Sequence, residues 1–166
     1  MNAIRVVTLL SVLVAGAALG DDKLPCELLT RAQVATVVGA GAIATQYARE
    51  ELPQRRAKEL TLIHTCDWLV KETQSAVEVH LVAPPLDVKG MSFALTTLDN
   101  HGRRGDEQEF GDVTCWSQEA PKGQFPYAAC VGNVKGNALK VLFRSKTVTP
   151  TLRQAKSLFD QAAAGL

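Results

Sequence analysis

The sequence has 166 residues, 46% of them apolar, with 18 Lys+Arg against 17 Asp+Glu, which is the composition of a folded globular chain rather than a disordered one. Arg5 is the only charged side chain among the first 20 residues, so the remainder of the chain is charge-balanced. That balance excludes a strongly basic nucleic-acid binder and gives no general attraction to anionic lipid.

The N-terminus sets the expected compartment. Met1 to Arg5 is weakly positive, Val6 to Ala15 is almost wholly apolar and Gly16 to Gly20 is rich in small residues, the layout of a secretory signal peptide with Ala18 and Gly20 at the −3 and −1 positions. The apolar run is short for a membrane-spanning helix and is followed at once by Asp21-Asp22; an uncleaved anchor is the alternative. The expected organisation is therefore a signal peptide over 1–20 and a single domain over 21–166, periplasmic or secreted. No integral membrane segment is expected after cleavage. No cysteine directly follows the apolar run, so a lipid-modified N-terminus is not expected.

Four cysteines, Cys26, Cys66, Cys115 and Cys130, imply two disulfides in an exported chain, with three possible connectivities. Cys115 and Cys130 lie in two apolar arms separated by a polar stretch containing Pro121, Gly123 and Pro126. If the arms pair with residue numbers summing to 245, the two cysteines face each other, which leaves Cys26 and Cys66 to join the N-terminal segment to an earlier strand. There is no C-x-x-C pair and no set of cysteine and histidine spacings that completes a tetrahedral site, which argues against zinc, and no metal or cofactor is expected.

Along the chain, Thr30 and Gln33 form a capping box and Leu29 can staple against Val34, predicting a helix over Arg31–Val38 stopped by Gly39. Ala40–Tyr47 is small and apolar enough for a strand, and the charged run Arg49–Lys58, broken by Pro53, reads as a loop or short helix. From Leu60 the period becomes two. Leu62, His64, Cys66 and Trp68 alternate with Thr61, Thr65 and Asp67, and beyond the turn Lys71–Gln74 Val77, Val79 and Leu81 alternate with Glu78 and His80, which predicts a hairpin whose register sums to 145. A second helix is expected from Asp87, with Met91, Leu95 and Leu98 at helical spacing. Strands follow at Asp112–Gln118, Pro126–Gly132 and Asn137–Arg144. Thr149 is the expected cap of a last helix, with Pro150 at its first position and Leu152, Ala155, Leu158, Phe159 and Ala162 as its apolar stripe. Hairpins and interspersed helices give the α+β class, a mostly antiparallel sheet of about five strands covered by helices.

Pro25-Cys26-Glu27-Leu28-Leu29-Thr30 with Val34 and Gly39, then Cys66-x-Trp68, resembles the opening of bacterial envelope domains of unknown function, many of them lipoproteins, that begin C-x-L-L-T. Phe110-Gly111-Asp112, Val131-Gly132 and Leu139-Lys140-Val141 are similar to their later half. The resemblance implies a bridge from the first helix to the cysteine before Trp68 and a helix-on-sheet fold broadly PsbP-like. The chain departs from the family in lacking a lipidation cysteine, and the family supplies no catalytic residues to carry over.

Chemistry is sparse. His64 is expected to point into the core with Trp68, His80 out of the neighbouring strand, and His101 lies in a charged loop; there is no G-x-S-x-G, H-E-x-x-H or P-loop. The acidic stretch Asp106, Glu107 and Glu109 lacks an ordered calcium-ligand spacing and reads as solvated surface. Two loops stand out as binding candidates. One spans 100–107 and carries Arg103, Arg104 and an Arg-Gly-Asp tripeptide at 104–106 that chance readily produces in a glycine-rich turn. The other spans 119–126, tied at its base by the 115–130 bridge and presenting Phe125 between prolines. Hairpin geometry around the intervening Asp112–Gln118 strand puts the two loops at opposite ends of it. The reading leans away from an enzyme: an exported, non-catalytic envelope or extracellular binding protein for a protein or glycan, inhibition included. The alternative is a small secreted hydrolase whose site is assembled from residues scattered in sequence.

Overall fold

The computed structural model describes residues 23–51, 61–82, 104–119 and 125–166. The signal-like segment, the helix expected from Asp87, His101 and Arg103 lie outside them.

A 3-10 turn at Pro25–Glu27 leads into helix α1, Arg31–Val38. Thr30 Oγ1 accepts from the Gln33 amide at 3.3 Å while Gln33 Oε1 receives the Thr30 amide at 2.7 Å, satisfying two donors that the first helical turn leaves over. Gly39 and Gly41, with φ of +87° and +90°, end it in backbone conformations that an L side chain rarely adopts. Seven strands follow: β1 Ile43–Glu51, β2 Thr61–Val70, β3 Ser75–Val82, β4 Arg104–Phe110, β5 Val113–Gln118, β6 Tyr127–Val134 and β7 Asn137–Arg144. The last element is helix α2, Leu152–Gly165.

The strands form one antiparallel sheet in the order β1-β2-β3-β7-β6-β5-β4, so β1 and β4 are its edges. The β2–β3 hairpin takes the register of the hydrophobic alternation, Cys66 opposite Val79 and Trp68 opposite Val77. Cys115 likewise stands opposite Cys130.

Three expectations need correction. The sheet has seven strands rather than about five: the segment Ala40–Tyr47, apolar enough for a strand, contributes β1 at Ile43–Glu51, and a further strand, β4, is poor in apolar residues. The charged start of the Arg49–Lys58 run belongs to β1, and the charged segment expected as a loop from residue 100 becomes β4 at Arg104. Gly105 through Phe110 are all exposed, so no apolar alternation marks β4; pairing with β5 makes it a strand. The Arg-Gly-Asp tripeptide is consequently part of an edge strand, not a loop tip. The cap of α2 is Thr151, not Thr149, with Pro150 ahead of the cap. Thr151 and Gln154 repeat the box of α1, Thr151 Oγ1 accepting from the Gln154 amide at 3.3 Å and Gln154 Oε1 from the Thr151 amide at 3.0 Å.

Alternation divides the sheet into two faces. On one, here the helix face, Cys66, Trp68, Val77, Val79, Leu81, Leu139, Val141 and Phe143 pack under α1 and α2, which contribute Val34, Val38, Ala155, Leu158, Phe159 and Ala162. Gly132 sits beneath Phe159, where a Cβ would come within 3.1 Å of the ring, so glycine lets α2 approach β6 closely. Both disulfides, Cys26–Cys66 and Cys115–Cys130, lie on this face. On the opposite face Ile63, Val82, Trp116, Ala129, Val131, Ala138 and Leu142 form a smaller cluster whose described members all belong to strands.

Candidate functional site

Of the three binding candidates, Arg103 is outside the described residues. Arg104 opens β4 opposite Gln118 of β5, and Gln118 in turn stands opposite Tyr127 of β6. Phe125 is half-buried, two residues before β6 begins. Arg104 and Phe125 are therefore at the same end of the sheet, contrary to the expectation of opposite ends. The reason is β4 itself: the strand runs antiparallel to β5, so its start lies beside the end of β5, where the 119–126 connection leaves.

That end is anchored by hydrogen bonds. The Tyr127 hydroxyl donates to Gln118 Oε1, tying β5 to β6. The Ser145 amide donates to the Pro126 carbonyl at 3.3 Å, and the fully buried Ser145 hydroxyl lies 2.7 Å from Ser75 Oγ while accepting from the amides of Thr147 and Val148 at 3.2 Å each. Pro126, adjacent to Phe125, is thereby fixed to the β7–α2 connection and to the start of β3.

The sequence reading missed a second feature, a row of ionisable groups across the face opposite the helices. Tyr47 Oη donates to Asp67 Oδ2 at 3.2 Å; Thr65 Oγ1 lies 3.2 Å from His80 Nδ1; His80 Nε2 lies 3.5 Å from Glu78 Oε2; and Arg144 Nε lies 2.8 Å from Glu78 Oε1. Lys140, only 1% exposed, places Nζ 5.8 Å from the centre of the Trp116 ring. Asp67 and Glu78 are direct cross-strand partners. Burial, and then the Glu78 charge, hold the Asp67 carboxyl above its ordinary pKa. Burial also presses Glu78 upward, but the hydrogen bond from His80 and the charges of Arg144, His80 and Lys140 outweigh it and leave Glu78 below its ordinary value.

His80 is on the face expected for it, yet it is 4% exposed rather than solvent-facing. His64 shares the helix face with Cys66 and Trp68 but is only half-buried, since its neighbour across the edge is Ala48 of β1. The register that aligns Cys66 with Val79 also sets Asp67 against Glu78 and Thr65 against His80, so the row was within reach of the sequence once that register was taken seriously on its polar side.

Thr65, His80 and Glu78 put a hydroxyl, an imidazole and a carboxylate in line, the order used by hydrolases. A nucleophile has to meet its substrate, however, and the Thr65 side chain is fully buried. What the arrangement does in this state is satisfy buried polar groups between β2 and β3. Among the described residues no group of three His, Cys, Asp or Glu side chains is placed to hold a metal ion, and no cysteine is free. No described helix is long and apolar enough to cross a membrane. Compared with known protein families, with curated proteins and with solved structures, the chain matches none of them.

Proposed function

We propose that this is an exported, non-catalytic binding protein of the bacterial envelope or extracellular space, in the manner of the envelope domains whose C-x-L-L-T opening it resembles and of broadly PsbP-like build. Its partner is a protein or glycan, and it engages that partner through the sheet end that carries Arg104 and Phe125; Arg103, the remaining candidate, precedes Arg104 in sequence. The convergence of Arg104 and Phe125 at one anchored end carries the reading: an aromatic next to the hydrogen-bonded Pro126 offers contact area at little ordering cost, and arginine adds directed hydrogen bonds. Two disulfides support export, since such bridges persist in oxidising compartments.

The test is a photo-reactive phenylalanine analogue placed at position 125 and, as control, at Lys135 in the β6–β7 turn at the other end of the sheet. In an envelope extract, position 125 should give a discrete cross-linked species that position 135 does not. Equal labelling from both positions, or none from 125, would remove the sheet end from consideration.

The hydrolase reading has one observation in its favour, the Thr65–His80–Glu78 line. It requires an opening that exposes Thr65, and a fluorophosphonate probe that labelled Thr65 in the native protein would establish it.

A further inference from the structure

Between helix α2 and strand β4 lies a cavity of about 570 Å³, within the size range of small-ligand sites. Its origin is a step between the layers. α2 lies over β5, β6 and β7, so the flank of the helix stands as a wall beside β4, whose Gln108 and Phe110 form the floor on the helix face. Arg153, Lys156, Ser157 and Asp160 recur at helical spacing along that wall, over about 10 Å.

The parts are held in place without a ligand. Gln108 is the register partner of Cys115, which the disulfide to Cys130 ties to β6. Lys156 Nζ lies 5.3 Å from the centre of the Phe110 ring and 2.7 and 2.8 Å from the two Asp160 oxygens, so one ammonium fixes both the ring and the carboxylate. Both remain within reach of a ligand, Phe110 being 37% exposed and the Asp160 side chain 58%. Arg153, about one turn before Lys156 on the same helix, pairs with no carboxylate among the described residues.

The lining selects the chemistry of the ligand. Only Phe110 and Leu152 in it are apolar, so a lipid tail or an apolar side chain would strand its polar groups without partners. Gln108 and Ser157 can each donate and accept, and the Asp160 carboxylate accepts only. Sugar hydroxyls, which donate and accept, satisfy all three, whereas a phosphate meets the Asp160 charge with its own. The Phe110 ring offers an apolar platform to the C–H face of a pyranose, and the Arg153 fork matches a carboxylate. We infer that this cavity binds an acidic saccharide, a hexuronic acid unit with its ring against Phe110 and its carboxylate on Arg153. The inference goes beyond the binding reading above and does not depend on it: Phe110 closes β4 and Arg104 opens it, roughly 20 Å apart along the strand.

The experiment titrates the isotopically labelled protein with disaccharides of galacturonate, glucuronate and mannuronate, with their methyl esters, with cyclohexanecarboxylate and with inorganic phosphate. At least one uronate should shift the amides of Gln108–Phe110 and of Arg153–Gln161 saturably, and its methyl ester should bind at least about tenfold more weakly, or roughly 1.4 kcal/mol. Arg153 is exposed, so Arg153→Gln should bring the acid down to the affinity of the ester with an unchanged thermal midpoint. Phe110→Ala should weaken acid and ester alike, at least about tenfold, and Phe125→Ala should change neither. No saturable shift from any uronate, equal binding of acid and ester, or acid binding that survives both cavity substitutions overturns the inference. So do equal shifts from phosphate, which would make the cavity a plain anion site, or from cyclohexanecarboxylate, which would make it a carboxylate site with no use for a sugar. Uronate binding lost in Phe125→Ala alone overturns it as well and returns recognition to the sheet end.

Discussion

The two faces of this sheet are made from alternate residues of the same strands, yet they are held by different physics. On the helix face, apolar side chains interlock with α1 and α2 and two disulfides close loops over them, so that its cohesion comes from burial and covalent cross-links. On the opposite face a smaller apolar cluster shares the surface with Asp67, Glu78, His80, Lys140 and Arg144, whose energies depend on one another and on pH. The difference teaches that one strand can serve as structural wall and electrostatic lattice at once, and it predicts that substitutions on the two faces answer differently to acid.

The sharpest way to break the comparison is at Phe159, 2% exposed between α2 and Gly132. Phe159→Ala should cost about 3–5 kcal/mol by urea denaturation, as large-to-small core changes do, with the same loss at pH 4 and pH 7. A loss that changed with pH would mean that the helix face is coupled to the charged row.

Next in size are the bridges. Replacing Cys115 and Cys130 together by alanine opens a loop spanning 15 residues, and loop-closure entropy puts the cost at about 3 kcal/mol. Non-reducing peptide mapping of that variant should still recover Cys26 joined to Cys66.

The smallest effects lie on the charged face, and their signs oppose. Glu78 is held below its ordinary pKa of 4.5, so its contribution is fully present above that value and is lost as pH falls through the lower folded value. Glu78→Gln should therefore cost about 1 kcal/mol at pH 7, near the low end for a charged hydrogen bond because Arg144 is 40% exposed, and the difference should shrink in acid. Asp67 is raised above 3.8, so it binds its proton more readily folded than unfolded, and stability declines as pH rises through that window. Asp67→Asn should raise the denaturation midpoint at pH 7 and leave it unchanged below pH 3.8. Equal signs for the two variants would contradict the electrostatics of the row.

Much of the helix face was legible in the sequence because burial writes itself as period: the β2–β3 alternation, the 115–130 register and the Thr30–Gln33 box all had a hydrophobic pattern or a local donor–acceptor pair behind them. The edge strand Arg104–Phe110 did not, since it is a strand by pairing rather than by composition, and of Ile43–Glu51 only the start, within the small apolar stretch Ala40–Tyr47, carried a signal. Missing β4 reversed the relative placement of the two candidate loops, for one unseen strand turns the chain around once. Thr151-x-x-Gln154 repeats the box found at Thr30 and was passed over for the nearer Thr149-Pro150 signal. Lys140, in the middle of the apolar run Leu139–Phe143, gave no indication of the Trp116 ring it approaches, because that contact crosses from β7 to β5 through tertiary structure.

The central claim is that recognition lies at the sheet end and not on the charged face. The direct measurement is calorimetric affinity for the captured partner, at matched folded stability, for Phe125→Ala and the double change Arg103→Ala with Arg104→Ala beside Thr65→Val and Glu78→Gln. The account predicts that each of the first two weakens binding by about tenfold, roughly 1.4 kcal/mol, while the last two leave it unchanged. Loss of binding in the Thr65 and Glu78 variants with the end variants unaffected would contradict it.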